Sequence, residues 1–308
     1  MSLLLQSVVW CAAVAAAGDS GPIGGDYGQP RVVVPAPANP RYAHLGWPKI
    51  VCARDGTLVL AYSAARAHTR DGCPAVSIST DRGATFTKPH VLAHFDRTTK
   101  YRHCGNIALG VAGDGAVVLL AMAFSGNDRN SVFGWRSTDS GRTWQPVDTS
   151  SLADNRTGSV YGHVIPVPGA GLAVCGHYRA PSRPYTQGIW IAFSKDNGNT
   201  WGQPRRITDE RLFEPAVTFT RGRFVGLIRD GTSPWRYWQA VSGDLGRTWK
   251  VTPGPIAADQ PRNWRLPSPF IAVSPRDPSM FGPGRRIPPA SSARGLCRRG
   301  SVRRNGRE

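Results

Sequence analysis

Four copies of one short phrase constrain this chain more than any other feature. They run Ser79 to Phe86, Ser137 to Trp144, Ser194 to Trp201 and Ser242 to Trp249, and share the pattern S-x-D-x-G-x-T-[WF]. Their aspartates, Asp81, Asp139, Asp196 and Asp244, stand 58, 57 and 48 residues apart. Recurrence at such a period marks stacked or radial units, each a supersecondary element that buries its apolar faces only against its neighbours. Within the phrase, the short Asp side chain is expected to accept hydrogen bonds from backbone N–H groups two or three residues on. Gly supplies the positive φ of a tight turn, and the aromatic ring packs between units. Catalysis does not need the same residue in every unit, so these aspartates read as structural, and Trp144, Trp201 and Trp249 as blade-packing residues.

The stretches between the phrases read as paired strands. Lys49 to Cys52 and Thr57 to Tyr62 flank Asp55-Gly56, and Ile107 to Val111 and Ala116 to Leu120 flank Asp114-Gly115. Val164 to Val167 precedes Gly169-Ala170-Gly171, and Ala216 to Phe219 precedes Arg221-Gly222. Short apolar runs separated by such turns are hairpins. A third strand enters each Asp phrase and a fourth leaves it, giving four antiparallel strands per unit, the make-up of a propeller blade. No stretch carries a helical period, and 35 Gly and 26 Pro suit a turn-rich all-β chain.

These phrases resemble the Asp boxes, or BNR repeats, of sialidases and their relatives, over about Pro40 to Phe281. The resemblance implies a six-bladed β-propeller with its active site at one end of the central channel. Four blades are visible, at about 46–92, 103–148, 159–207 and 212–253. A fifth begins at Leu266 and does not reach an Asp box, so about four and a half blades are expected and the propeller reads as C-terminally incomplete. The Asp box also occurs in glucanases, sortilin-type receptors and non-catalytic glycan binders, so function has to come from the site.

The two ends differ from the middle. Residues 1–17 hold an apolar run from Leu3 closed by Ala15-Ala16-Ala17. The segment resembles a secretory signal peptide and is too short to span a membrane, so a secreted or periplasmic location is expected. Residues 18–39 read as a linker and 40–280 as the propeller. Residues 281–308 hold eight arginines and one glutamate, +7 of the chain's +18. That segment reads as a disordered basic tail, as an arm for an anionic surface, or as sequence foreign to the blade it interrupts; the last is preferred because it replaces a blade mid-sheet. No nucleic-acid module or aromatic-interleaved basic groove is visible, so nucleic acid is not an expected partner. The cysteines show no metal spacing, and neither metal nor organic cofactor is expected.

Connectivity tells which residues can share a site. In an antiparallel meander, the Asp-Gly turns and the Asp boxes fall on one face. The starts of the innermost strands and the second-to-third-strand loops fall on the other and converge at one mouth of the channel. That mouth collects Trp47, Lys49, Arg66, His68, Arg70 and Asp71; Arg102, His103 and Asn106; Tyr161, His163, His177 and Arg179; Glu214 and Arg229; and Arg265. Arginine forks grip carboxylates, and aromatic faces cover sugar rings, so the set suits an anionic sugar.

The resemblance then implies roles. Asp71 matches the acid/base aspartate, and Arg66, five residues before it, is a candidate substrate-binding residue or orients Asp71 instead. Glu214, in Phe213-Glu214-Pro215, matches the glutamate that takes a tyrosine's proton. Arg229 matches the second arginine of a carboxylate-binding triad, and Arg265 is the candidate for the third. Where the family has Arg-Ile-Pro this chain has Gly46-Trp47-Pro48, so Lys49 or Arg102 is the candidate substitute for the first. No nucleophilic tyrosine is assigned. The implied activity is exo-acting hydrolysis that releases terminal sialic acid or a related acidic sugar from a sialylated or other acidic glycan. The alternatives are a non-catalytic glycan-binding or protein-binding propeller, or an inactive sialidase fragment.

Overall fold

The computed structural model describes residues 31–125, 129–179, 182–230, 236–257 and 267–271. The signal-like segment 1–17, most of the 18–39 linker, Arg265 and the 281–308 tail lie outside the described residues. Among the described residues, sixteen strands form four consecutive meanders. The first is β1 (His44–Cys52), β2 (Leu58–Ala65), β3 (Cys73–Ser79) and β4 (His90–Val91), and the second β5 (His103–Val111), β6 (Val117–Phe124), β7 (Asn130–Ser137) and β8 (Gln145–Pro146). The third is β9 (Ser159–Val167), β10 (Gly171–His177), β11 (Ile189–Ser194) and β12 (Arg205–Thr208), and the fourth β13 (Leu212–Thr220), β14 (Arg223–Asp230), β15 (Arg236–Ser242) and β16 (Lys250–Ala257). The first strands of successive meanders lie side by side, β1 against β5, β5 against β9 and β9 against β13. β5 and β9 pair in parallel through Ala108–Gly162 and Leu109–His163, as innermost strands of neighbouring blades do.

The core lies between blades. β6 shows why: Val117, Leu119, Ala121 and Ala123 pack with Val59, Ala61 and Val76 of the first blade. The alternate residues Val118, Leu120 and Met122 pack with Val164, Leu172, Val174 and Trp190 of the third. A strand buried on both faces reads as a continuous apolar run, as this one does. Ile165, Ala173 and Ile191 meet Val217, Phe224 and Ile228 across the next junction. The Asp-box rings join these layers: Trp144 packs on the first junction, Trp201 on the second and Trp249 on the third.

The four Asp boxes repeat one hydrogen-bond network. In the second, Ser137 Oγ donates to Asp139 Oδ1 (2.8 Å), Thr143 N donates to the same oxygen (2.8 Å) and Thr143 Oγ1 to Oδ2 (2.6 Å), while Gly141 N donates to Ser137 Oγ (2.8 Å). The same four bonds recur around Asp81, Asp196 and Asp244. The principal backbone donor is thus four residues on, one further than the sequence suggests, because the turn takes two left-handed residues rather than one. Ser140 (φ 60°) precedes Gly141 (φ 90°), and Arg82, Asn197 and Leu245 do the same in the other boxes. The boxes and first hairpin turns share a face: Arg142 pairs with Asp55 at 3.5 Å, and Arg54 Nη1 donates to the Asp114 carbonyl at 2.9 Å.

Partial burial raises the pKa of Asp139, but the bonds from Thr143, Ser137 and Arg142 outweigh it and hold the carboxyl at about 2, below the ordinary 3.8. A depressed folded-state pKa stabilises the fold above the ordinary value, and that contribution is lost as pH falls through the folded one. Acid should therefore loosen this turn between about pH 4 and pH 2. Asp139→Ala should remove the same contribution at neutral pH, lowering stability by about 1–3 kcal/mol in a thermal melt while sparing glycan affinity. Unchanged melting with lost binding would overturn the structural assignment.

Candidate functional site

Each innermost strand carries a register break at the same height. Two residues bulge between Gly46 and Lys49 in β1, between Cys104 and Ile107 in β5, and between Phe213 and Ala216 in β13. In β9 they bulge between Tyr161 and Val164, opposite Cys175 and Val174. Trp47, Gly105, Gly162 and Glu214 are therefore equivalent positions. Trp47 (φ 54°), Gly162 (φ 85°) and Glu214 (φ 53°) are left-handed there. A bulge re-aims a side chain out of the alternating pattern, and proline after both Trp47 and Glu214 removes a ladder donor at the break.

The bulge at Glu214 builds the central cluster. Arg229, opposite Phe213 on β14, donates through Nη1 to Glu214 Oε2 at 2.6 Å, and the two side chains are only 16% and 14% exposed. Ser268 Oγ donates to the same oxygen at 2.7 Å, and Glu214 N donates to His177 Nδ1 at 3.3 Å. Burial opposes ionisation of Glu214, but the Arg229 charge and the Ser268 hydrogen bond outweigh it and hold the carboxyl below its ordinary value. Arg229 Nε is buried with no acceptor, so one edge of the guanidinium fork is unused.

Lys49 and two tyrosines complete this cluster. Lys49 Nζ lies 5.1 Å from the centre of the Tyr161 ring. Desolvation pulls its pKa down to about 8, against the attraction of Glu214. Tyr161 OH donates to the Pro269 carbonyl (2.9 Å) and Tyr237 OH to the Pro267 carbonyl (2.8 Å). Burial and the Glu214 charge push the Tyr161 phenol well above its ordinary value, and burial takes Tyr237 to about 12. Neither hydroxyl is hydrogen-bonded to Glu214.

A second group lies on the first two blades. Arg66 Nε pairs with Asp71 Oδ2 at 3.1 Å, and Asp71 is left-handed (φ 53°). Gly72 N donates to His103 Nδ1 at 3.0 Å. A Cβ on Gly72 would meet the Cys104 carbonyl at 2.5 Å, so the loop closes tightly on β5. Trp47 stacks on His68 at 4.9 Å and meets His103 edge-on at 5.9 Å. Burial lowers His103 to about 4; Asp71 pulls it upward, while His68 and Arg179 push it down. Burial also lowers His177 to about 4, with Glu214 opposing and Arg179 reinforcing the shift. Arg179 thus acts on a histidine of each group.

Of the residues singled out in the sequence, the structure brings Glu214, Arg229 and Lys49 into one cluster and Asp71 with Arg66 into the other. Arg102 is exposed, and only its backbone N bonds, to the Phe124 carbonyl. Sequence reasoning missed Ser268 and Tyr237. Both had a signal: Ser268 follows the predicted start of a fifth innermost strand, and Tyr237 pairs with Arg229 across β14 and β15. Among the described residues no group of His, Cys, Asp or Glu is arranged to hold a metal ion, and no helix is long and apolar enough to cross a membrane.

This architecture can be set beside known proteins. The BNR repeat-like domain matches residues 56–269, well over half of the sequence. The chain belongs to the BNR repeat-like family. No match is found among curated proteins. Solved structures of low sequence identity share the fold of this chain. One is a Dyadobacter fermentans protein of unknown function, at 19% identity over 80% of this chain and 75% of that one, TM-score 0.57. Another is the Hadza microbial sialidase Hz136, at 21% over 75% and 49%, TM-score 0.57. A third is the Penicillium chrysogenum α-L-arabinanase complexed with arabinobiose, at 15% over 72% and 69%, TM-score 0.54. This BNR-type chain spans about half the length of the sialidase it matches.

Proposed function

We propose that this BNR-type propeller is an exported, exo-acting glycoside hydrolase that releases a terminal acidic sugar, sialic acid or a close relative, from glycoconjugates. The observation that carries the reading is the largely buried Glu214–Arg229 pair, with the partly buried Lys49 close enough for the Glu214 charge to act on it. The part-buried guanidinium charge is what a ligand carboxylate meets at this site, and a charge-assisted contact discriminates it from a neutral group.

In this reading Asp71, aligned by Arg66, donates its proton to the leaving glycosidic oxygen. A tyrosine oxygen attacks the anomeric carbon as its proton passes to Glu214, and the glycosidic bond breaks. Water then attacks the tyrosyl glycoside and gives a proton to Asp71, while the tyrosine oxygen leaves and takes its proton back from Glu214. The tyrosine is left unassigned, because the Tyr161 and Tyr237 hydroxyls are committed to backbone carbonyls. That same commitment favours a second reading, a non-catalytic binder of acidic glycans that uses the same Arg229 site.

Chromophore release from a sialoside and from matched neutral glycosides separates the two. The hydrolase is expected to cleave the sialoside alone, and Asp71→Asn to depress turnover by about 10²–10⁴-fold while sparing binding, the contribution typical of a positioned acid. Binding without release identifies the binder. Equal cleavage of acidic and neutral substrates overturns both.

A further inference from the structure

Asp71 forms one wall of a cleft of about 400 Å³ between the β2–β3 loop and the segment after β4. Arg41, Arg66, Arg70, Arg97, Asp71 and Asp96 line it. Both carboxylates are already taken: Asp71 by Arg66 at 3.1 Å, and Asp96 by Arg41 at 2.7 Å and by Thr98 Oγ1 at 2.6 Å. Two guanidinium charges are left over. Arg70 and Arg97 are exposed, and among the described residues neither side chain has a hydrogen-bond or ion-pair partner. The loop that carries Arg70 is stiff, with Arg66 N bonded to the Arg70 carbonyl (3.1 Å), Arg70 N to the Ala67 carbonyl (3.0 Å), and Thr69 and Asp71 left-handed. A concave, pre-organised surface with surplus arginine forks recognises a compact oxyanion.

We propose that this cleft is a second anion subsite, which takes a sulfate ester or a second carboxylate on the sugar next to the bond that is cleaved. Its place in the substrate rests on the hydrolase reading above. An acid lies within hydrogen-bond reach of the leaving oxygen, so the sugar on the leaving side sits over Asp71 and faces Arg70 and Arg97. The preferred substrate is then doubly anionic: one carboxylate goes to Arg229, and the other charge goes to the cleft on the first blade.

Calorimetric titration with three probes tests this: sialyllactose, sialyllactose bearing one sulfate on its galactose, and a disialylated lactose. The wild-type chain should bind at least one of the doubly charged probes about tenfold more tightly than sialyllactose, the size of one charge-assisted contact. The gain should shrink as added salt screens the exposed guanidinium groups. Arg70→Ser with Arg97→Ser should abolish the gain, leave sialyllactose affinity and the melting temperature unchanged, and be partly rescued by the paired lysine substitutions. Which probe gains identifies the oxyanion. No gain for either probe, or a gain that survives the double serine variant, overturns the subsite. Arg229→Ala keeps the two readings apart. If it weakens all three probes while no gain is seen, the subsite falls and the central site stands. If it weakens none while the gain remains, the subsite stands and the central reading falls.

Discussion

Glu214→Ala is expected to destabilise the folded chain by about 3–5 kcal/mol, the cost typical of leaving a buried charge without its partner. Arg229 is held at 2.6 Å by that carboxylate, with both side chains largely out of water. Without it the guanidinium keeps a buried Nε and gains a buried, unpaired Nη1. Ser268 loses its acceptor as well. Glu214→Gln is the informative contrast. It keeps the shape and an acceptor oxygen for Ser268 but removes the charge, so it should recover part of the loss and no more. Glu214 is also left-handed, and both substitutions keep that backbone cost, so it cancels between them. Chemical denaturation of the two variants measures the difference. Equal stability of Glu214→Ala and wild type would show that the pair is not stabilising in this fold.

Arg229→Ala is expected to lose about 2–4 kcal/mol of affinity for a carboxylated sugar, the size associated with removing one partner of a buried charge-assisted pair. Neutral sugars should bind nearly as before. The substitution also strands Glu214, so binding has to be read well below the melting transition, with Arg229→Lys alongside. Lysine restores the charge but not the planar fork, so it should rescue stability more than affinity. If Arg229→Lys binds the acidic sugar as tightly as arginine does, simple charge attraction replaces bidentate recognition as the basis of the site. Acidic-sugar affinity that ignores both changes would falsify the Arg229 site.

The blades were legible because their signals are local and repeated. The Asp box states its own turn, Asp-Gly marks the first hairpin, and apolar runs such as Val117–Phe124 suit a strand buried on both faces. The Glu214–Arg229 pairing was legible for the same reason: once β13 and β14 are a hairpin, the two residues fall at the same end of adjacent strands. What was not legible depends on backbone geometry that side-chain periodicity does not encode. Nothing in the alternation of β13 announces a left-handed residue at Glu214, although Pro215 was a clue, since proline cannot donate to the ladder. The double left-handed turn of the Asp box likewise shifts the main donor from the expected position to Thr143 and its equivalents. Ser268 and Tyr237 stayed hidden because their roles depend on partners 54 and 30 residues away.

The recurring bulge has a consequence for what such a scaffold can become. Trp47, Gly105, Gly162 and Glu214 hold backbone-equivalent places around the channel mouth, yet they carry an indole, two hydrogens and a carboxylate. The hairpins around these sockets keep their register whatever the occupant, because the break in pairing has already been made. Two sockets carry no side chain: a Cβ on Gly105 would meet the end of Met122 at 3.4 Å, and one on Gly162 only the Pro215 carbonyl at 3.6 Å, although φ 85° makes any residue but glycine costly there. Chemistry at the mouth can therefore be rewritten one blade at a time, while the Asp boxes on the opposite face keep every blade folding as it did.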